Sequence, residues 1–221
     1  MAKAPVWVFD LDDTLHHATP HVFPHINRAM TEYIERHLSL DYAAATALRQ
    51  LYWKRYGATL LGLIRHHGVD PHHFLAQTHN FENLSSMLIT APALADTLKQ
   101  LPGRRIIFSN APKTYTHEVL RLTGLTPLFD AIYTVESFGF QPKPLRSGFQ
   151  KLLRKERIQP GQAIMIEDSL PNLVMAKRLG MHTLWVTRSL RNSPWVDHKL
   201  RSIINLRHLV GWSQRATCGA K

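Results

Sequence analysis

Four apolar residues, Val6-Trp7-Val8-Phe9, run directly into Asp10-Leu11-Asp12-Asp13, which places three carboxylates within four positions. A short run with β-branched and aromatic members reads as a strand buried on both faces. In extended chain the side chains at i and i+2 share a face, so the spacing predicts Asp10 and Asp12 on one side of the strand's end. Two like charges ~4 Å apart repel by roughly 4 kcal/mol at an effective dielectric of ~20. A fold keeps such a pair where a cation sits between them, or where the repulsion is used. Reactions that set a carboxylate nucleophile beside a carboxylic acid use it.

Beyond Leu15 and a polar bend over His16 to His25, the pattern turns helical. Ile26, Ala29, Met30, Tyr33, Ile34 and Leu38 share one face. Asp41 and Gly57 bracket a second helix, and shorter helices are expected over Ala58–His67 and Asp70–His79. No strand is expected between residues 20 and 90, so this block reads as a helical insert. From Pro92 the texture alternates. A helix to Leu101 precedes the strand Ile106–Phe108, and Lys113–Leu122 precedes the strand Ala131–Val135. A helix over Arg146–Lys155 precedes Ala163–Ile166, and Pro171–Leu179 precedes Thr183–Val186. A weak strand and helix fall in Leu200–Val210, followed by a frayed tail from Gly211.

Strands alternating with helices imply a parallel α/β sheet covered on both faces, where ligands bind at the carboxyl ends of strands. The polar groups fall at those ends: Asp10 and Asp12 after the first strand, Ser109 and Asn110 after the next, Glu167 and Asp168 after another, with Lys143 in a loop.

The 221 residues, 44% hydrophobic, suit one globular core with a modest insert. There is no apolar run long enough for a membrane span, and the N-terminus does not read as a signal peptide. The single cysteine, Cys218, has no partner for an internal disulfide, so a reducing, cytoplasmic compartment is expected. The first 140 residues carry 12 Lys/Arg against 12 Asp/Glu, and the last 81 carry 15 against 4. The whole excess of +11 therefore lies in the C-terminal third, as a solvated basic surface or an attraction for anionic partners. No zinc-finger spacing or aromatic-interleaved basic run supports nucleic acid as that partner.

Asp10-Leu-Asp12-x-Thr14, then Ser109 at a strand end, Lys143-Pro144 and Glu167-Asp168 resemble the four ordered motifs of the haloacid dehalogenase-like hydrolases. Within them, Tyr56–Leu63, Phe108–Ala111, Ile166–Ser169 and Asn172-Leu173 resemble the pyrimidine 5'-nucleotidase group, although Ala58 stands where that pattern usually has a hydroxyl. The resemblance implies a Rossmann-like core over 1–20 and 90–213, an inserted all-helical cap over 21–89 and a flexible tail over 214–221.

It also implies chemistry. Asp10 would be the nucleophile that forms an aspartyl-phosphate, and Asp12 the general acid and base. Mg²⁺ would be held by Asp10, the backbone carbonyl of Asp12 and Asp168, with Glu167 close by or through water. Ser109 and the backbone beside Asn110 would hold phosphoryl oxygens, and Lys143 would stabilise the charge of the transferring group. The expected substrate is a small phosphorylated metabolite, a nucleoside monophosphate such as UMP or CMP, acted on by a monomer or homodimer away from membranes. A sugar-phosphate phosphatase or phosphomutase on the same fold is the alternative, and a non-catalytic module binding nucleic acid or a partner through the basic third is a second. Asp13 is expected to solvate a turn, and Thr14 and Ser169 to support the site from behind. The adjacent histidine pairs 16/17, 66/67 and 72/73 read as polar surface, with His66 or His67 within reach of a substrate. Tyr52, Trp53, Tyr56 and Phe74 read as core.

Overall fold

The computed structural model describes residues 4–218. Strands β1 (Val6–Phe9), β2 (Arg104–Phe108), β3 (Ala131–Tyr133), β4 (Ala163–Glu167), β5 (His182–Val186) and β6 (His198–Leu200) form one parallel sheet in the order β3-β2-β1-β4-β5-β6. Its centre is the apolar run that opens the chain. Parity divides β1 between two cores: Trp7 and Phe9 pack with Leu98, Ile107 and Ile164 on one face, Val6 and Val8 with Phe108, Phe149 and Met165 on the other. Burial on both faces leaves a polar residue no place in β1 until the chain clears the sheet at Asp10.

Helices α1 (Val22–Leu38), α2 (Tyr42–Tyr56), α3 (Thr59–His67) and α4 (Pro71–Thr78) lie between β1 and β2 in sequence, with no strand among them. The remaining helices are α5 (Leu94–Lys99), α6 (Lys113–Leu122), α7 (Arg146–Lys155), α8 (Leu170–Arg178) and α9 (Val210–Cys218). Side chains of α5 and α6 cover one face of the sheet, and those of α7 and α8 the other. The chain winds from β1 out to β3, then crosses back to β4 on the far side of β1. The order therefore reverses between β1 and β4, where such sheets open a crevice at their carboxyl edge.

The four inserted helices gather their own apolar cluster, with Tyr33, Ile34, Tyr52, Leu63 and Phe74 buried together and Val135 contributed from beyond β3. Their ends follow the local chemistry. Asp41 Oδ1 accepts from the Ala44 amide at 2.8 Å, and Asp70 Oδ1 from that of His72 at 3.0 Å. Gly57 closes α2 at φ +79°, where a side chain would be strained, and a Cβ there would lie 3.2 Å from Pro144 Cδ. That close approach seats the α2–α3 turn on the loop that carries Lys143. At Gly62 a Cβ would fall 2.1 Å from the Tyr52 ring, so α2 and α3 can pack this closely only with glycine there. The Lys143–Pro144 peptide is cis.

Several elements differ from expectation. The helix expected from Pro92 to Leu101 spans only Leu94–Lys99. The third strand ends at Tyr133, because Thr134 and Ser137 exchange side-chain bonds with the backbone and turn Val135–Phe138 into a 3₁₀ segment. The bend after Leu15 is shorter, with α1 starting at Val22. The tail expected to fray from Gly211 is helical through Cys218. Trp212 packs edge-on against His198 and His182, with ring centroids at 4.4 and 5.7 Å, and the Ser213 and Thr217 hydroxyls bond back to carbonyls one turn earlier. The last three residues of the expected tail, 219–221, lie outside the described residues. Trp53, expected in the core, is 61% exposed. Among the described residues no helix is long and apolar enough to cross a membrane.

Candidate active site

Asp10 is the first residue past β1, and its amide still bonds to Ile166 O of β4 at 3.0 Å. This keeps its side chain beside the end of β4, where Glu167 and Asp168 leave the sheet. Carboxylate oxygens of Asp10, Glu167 and Asp168 lie within 4.8 Å of one another. Lys143, reaching in from the loop after the 3₁₀ segment, is 1% exposed. Its Nζ donates to Asp10 Oδ1 and to Glu167 Oε2, both at 2.7 Å. Two strand ends and a distant loop thus meet at the point where the strand order reverses.

The lysine is held on several sides. Asn110 clamps its peptide: Asn110 Oδ1 accepts the Lys143 amide at 2.7 Å, and Nδ2 donates to the Lys143 carbonyl at 3.0 Å. The Phe108 ring lies 5.3 Å from the ammonium. The Asn110 side chain is therefore committed to the lysine loop, leaving its neighbouring backbone as the group available to a ligand. Ser109 is buried beside it, its Oγ accepting from the Ala111 amide at 3.0 Å, one strand over from Asp10 by the β1–β2 register.

Thr14 stands behind the acids, its hydroxyl 3.3 Å from Asp10 Oδ2 and 3.4 Å from Asp168 Oδ1. Trp185 Nε1 donates to the Asp168 carbonyl at 2.7 Å, and the Ser169 amide to Glu167 Oε1 at 3.2 Å. Both Glu167 oxygens are thereby engaged by protein donors, which marks Glu167 as the lysine's counter-ion. Asp13 takes a left-handed backbone at φ 58° and accepts the amides of Ala18 and Thr19 at 2.8 and 3.0 Å, so it shapes the turn.

Asp12 stays near enough for its charge to add to the upward push on the Asp10 carboxyl. The strand ends at Phe9, and the two carboxylates take separate partners. Asp12 Oδ1 accepts from the Tyr115 hydroxyl at 2.6 Å and lies 2.9 Å from His16 Nε2, and its carboxylate stands outside the Asp10–Glu167–Asp168 group. His16, expected at the surface, is 3% exposed, and Tyr115 on α6 did not stand out in the sequence at all. The i, i+4 spacing of Asp12 and His16 was the available signal; nothing local points across to α6. His66 and His67 bond to the hydroxyls of Tyr56 and Tyr52 within the insert, at 2.6 and 2.7 Å.

The cluster is electrostatically loaded. Burial, then repulsion from Glu167, pushes the Asp10 carboxyl up to about 7 despite Lys143. Burial, then Asp10 and Glu167, pushes Asp168 up to about 9. Burial alone would lower the Lys143 ammonium, but Asp10 and Glu167 more than reverse this and hold it above the ordinary lysine value. Asp10 and Asp168 thus hold protons that a cation would displace. An all-oxygen donor set of carboxylates with a hydroxyl behind it suits a hard divalent ion such as Mg²⁺, so the residues fit the ion expected from the motifs.

A family model described as haloacid dehalogenase-like hydrolase matches residues 6–180. Phosphate metabolism protein 8 of Saccharomyces cerevisiae is 23% identical over 197 residues; these cover 80% of this chain, and the chain spans only 59% of that relative's length. Phosphoglycolate phosphatase of Cereibacter sphaeroides is 27% identical over 215 residues, covering 86% of this chain and 88% of its own. The crystal structure of a HAD phosphatase from Thermococcus onnurineus shares the fold at a TM-score of 0.65 and 24% identity, over 94% of this chain and 98% of that one. With the motifs, the strand order and the family match in agreement over most of its length, this chain belongs to the haloacid dehalogenase-like hydrolases.

Proposed function

We propose that the chain is a Mg²⁺-dependent phosphatase of small phosphate monoesters, working through an aspartyl-phosphate on Asp10. The observation that carries this reading is the Lys143 ammonium, buried and 2.7 Å from both Asp10 and Glu167, facing an acidic cluster at the sheet's switch point. A phosphoryl group approaching Asp10 meets the ammonium, which offsets the charge of its oxygens. Asp10 attacks phosphorus, and Asp12 protonates the departing oxygen, then takes a proton from the water that cleaves the phosphoenzyme. Ser109 and the amides beside Asn110 hold the phosphoryl oxygens, and Lys143 is kept in register by Asn110. Asp10, the Asp12 carbonyl and Asp168 would hold Mg²⁺, with Glu167 behind; bound there, the ion neutralises phosphate and carboxylate charge together.

Residues 21–89 act in this reading as a cap over the core formed by 1–20 and 90–213, supported by the approach of Gly57 to Pro144 and by Val135 joining the insert's cluster. We assign pyrimidine nucleoside 5'-monophosphates as preferred substrates, on the motif resemblance at Tyr56–Leu63. The phosphoglycolate phosphatase relative favours a second reading, a small non-nucleotide phosphate. Phosphate release from a panel of UMP, CMP, phosphoglycolate and sugar phosphates, with and without Mg²⁺, separates them. Turnover of UMP and CMP above the rest is expected. Faster turnover of phosphoglycolate or sugar phosphates removes the nucleotidase assignment, and no release from any member overturns the phosphatase reading.

A further inference from the structure

Asp12 is held by one oxygen only. The Tyr115 hydroxyl donates to Oδ1 at 2.6 Å and His16 Nε2 lies 2.9 Å from that same atom, while the two donors are 3.3 Å apart. Among the described residues no donor reaches Oδ2, and the Asp12 side chain keeps 15% of its surface open. Both partners are packed in place. Tyr115 is 2% exposed, seated against Phe81 and His79 at centroid distances of 5.4 and 5.8 Å. The His16 ring is buried with Nδ1 unpartnered, so Asp12 and Tyr115 are its polar contacts among the described residues. Burying an imidazole with one nitrogen unsatisfied costs stability, and the return here is the contact with Asp12.

We propose that Tyr115 and His16 are positioning residues that aim the Asp12 carboxyl, fixing Oδ1 so that Oδ2 faces the reacting oxygen. The inference rests on the aspartyl-phosphate reading and deepens it. With two donors on Oδ1, a proton on Asp12 resides on Oδ2. In the first half-reaction the Asp10–phosphorus bond forms, the bond to the leaving oxygen breaks, and the Oδ2 proton moves to that oxygen. In the second, water oxygen bonds to phosphorus, its proton passes to Oδ2, and the Asp10–phosphorus bond breaks, restoring the starting state.

The test compares two probes in the full-length protein with Mg²⁺. p-Nitrophenyl phosphate has a leaving group that needs no proton, whereas glycerol phosphate needs one. Tyr115→Phe removes only the hydroxyl. Its kcat/KM on glycerol phosphate is expected to fall about 10- to 100-fold, a part of what general acid catalysis supplies, with that on p-nitrophenyl phosphate changed less than about threefold. His16→Gln, which keeps a donor near the Nε2 position, is expected to retain most of the activity that His16→Leu loses on glycerol phosphate. Equal losses on both probes, or no loss on either, overturn the positioning role while wild-type turnover leaves the phosphatase reading intact. Should Tyr115→Phe fail to fold, the two His16 variants give the same comparison, and equal behaviour of Gln and Leu overturns the role. Absence of wild-type turnover on both probes overturns the phosphatase reading and this inference with it.

Discussion

The carboxyl edge of the sheet and the helical insert place their polar groups by opposite rules. At the sheet's edge, residues far apart in the chain meet: Lys143 touches Asp10 and Glu167 across 133 and 24 positions. In the insert several polar pairs are nearer in sequence, as with His37 on the Tyr33 carbonyl four residues back, or Tyr52 and Tyr56 on His67 and His66 of the adjoining helix, while Tyr33 and His73 meet across 40 positions. The first arrangement buries charge against charge, which no local segment can stabilise alone. The second buries aromatic rings and leaves hydroxyls and imidazoles at partly open positions. In the proposed reading, chemistry that needs fixed charges falls to the sheet, and contact with a variable substrate to the helices. Gly57 lying against Pro144 and Val135 buried in the insert's cluster are two places where the systems touch.

The contrast breaks most sharply at Asp10. Asp10→Asn is expected to leave a folded protein by circular dichroism and to lower kcat on the fastest substrate of the phosphate panel by about four orders of magnitude or more, as removal of a nucleophile does elsewhere. Survival of most of the activity would move the nucleophile off Asp10. Lys143→Met strips the buried carboxylates of their counter-charge. Activity should fall roughly 10²- to 10³-fold and urea denaturation should show a loss of about 3–5 kcal/mol; an unchanged midpoint would mean that the pair adds nothing to the fold.

Phe74→Ala empties the centre of the insert's cluster, where Phe74 is fully buried. It should cost about 3–5 kcal/mol of stability, yet below the unfolding midpoint kcat on p-nitrophenyl phosphate should stay within a few-fold of wild type. A loss as large as that at Lys143 would erase the division between the regions.

A separate effect concerns pH without added divalent ions. Asp10 and Asp168 titrate in the folded protein near 7 and 9, above the ordinary carboxyl value of 3.8, so the folded state holds more protons than the unfolded one between those limits. Stability from these groups is complete below about pH 4 and is lost as pH rises through 7 and then 9. Tm should fall across that window by a few °C for each kcal/mol lost, and adding Mg²⁺ should recover it most at the alkaline end, because the ion replaces the protons. A Tm that rises from pH 6 to 9 in chelator would contradict the loaded cluster.

Much of this was legible before any coordinates. Asp10, Ser109, Lys143 and Asp168 each stand at a strand end or loop that hydrophobic patterning located, and helix caps at Asp41, Gly57 and Asp70 followed from side chains acting within a few residues. The failures share a cause. His16 reads as surface because one imidazole beside another carries no period, and only α6 packing over it buries the ring. Trp53 reads as core because it sits beside Tyr52, but the helix turns it outward. The tail reads as frayed because its helix is held by His182 and His198 on the last two strands of the sheet.

The chain's order of apolar runs and breakers, by itself, determined an alternating α/β sheet with acids at its carboxyl edge, since strand burial and helix capping depend on neighbours close in sequence. It took the folded chain to show that Glu167 answers to Lys143, that Asn110 clamps the lysine loop, and that Asp12 Oδ1 is held by Tyr115 and His16. Those pairings depend on which loops the sheet order brings side by side, and the free energy that selects them arises only when distant charges are buried together.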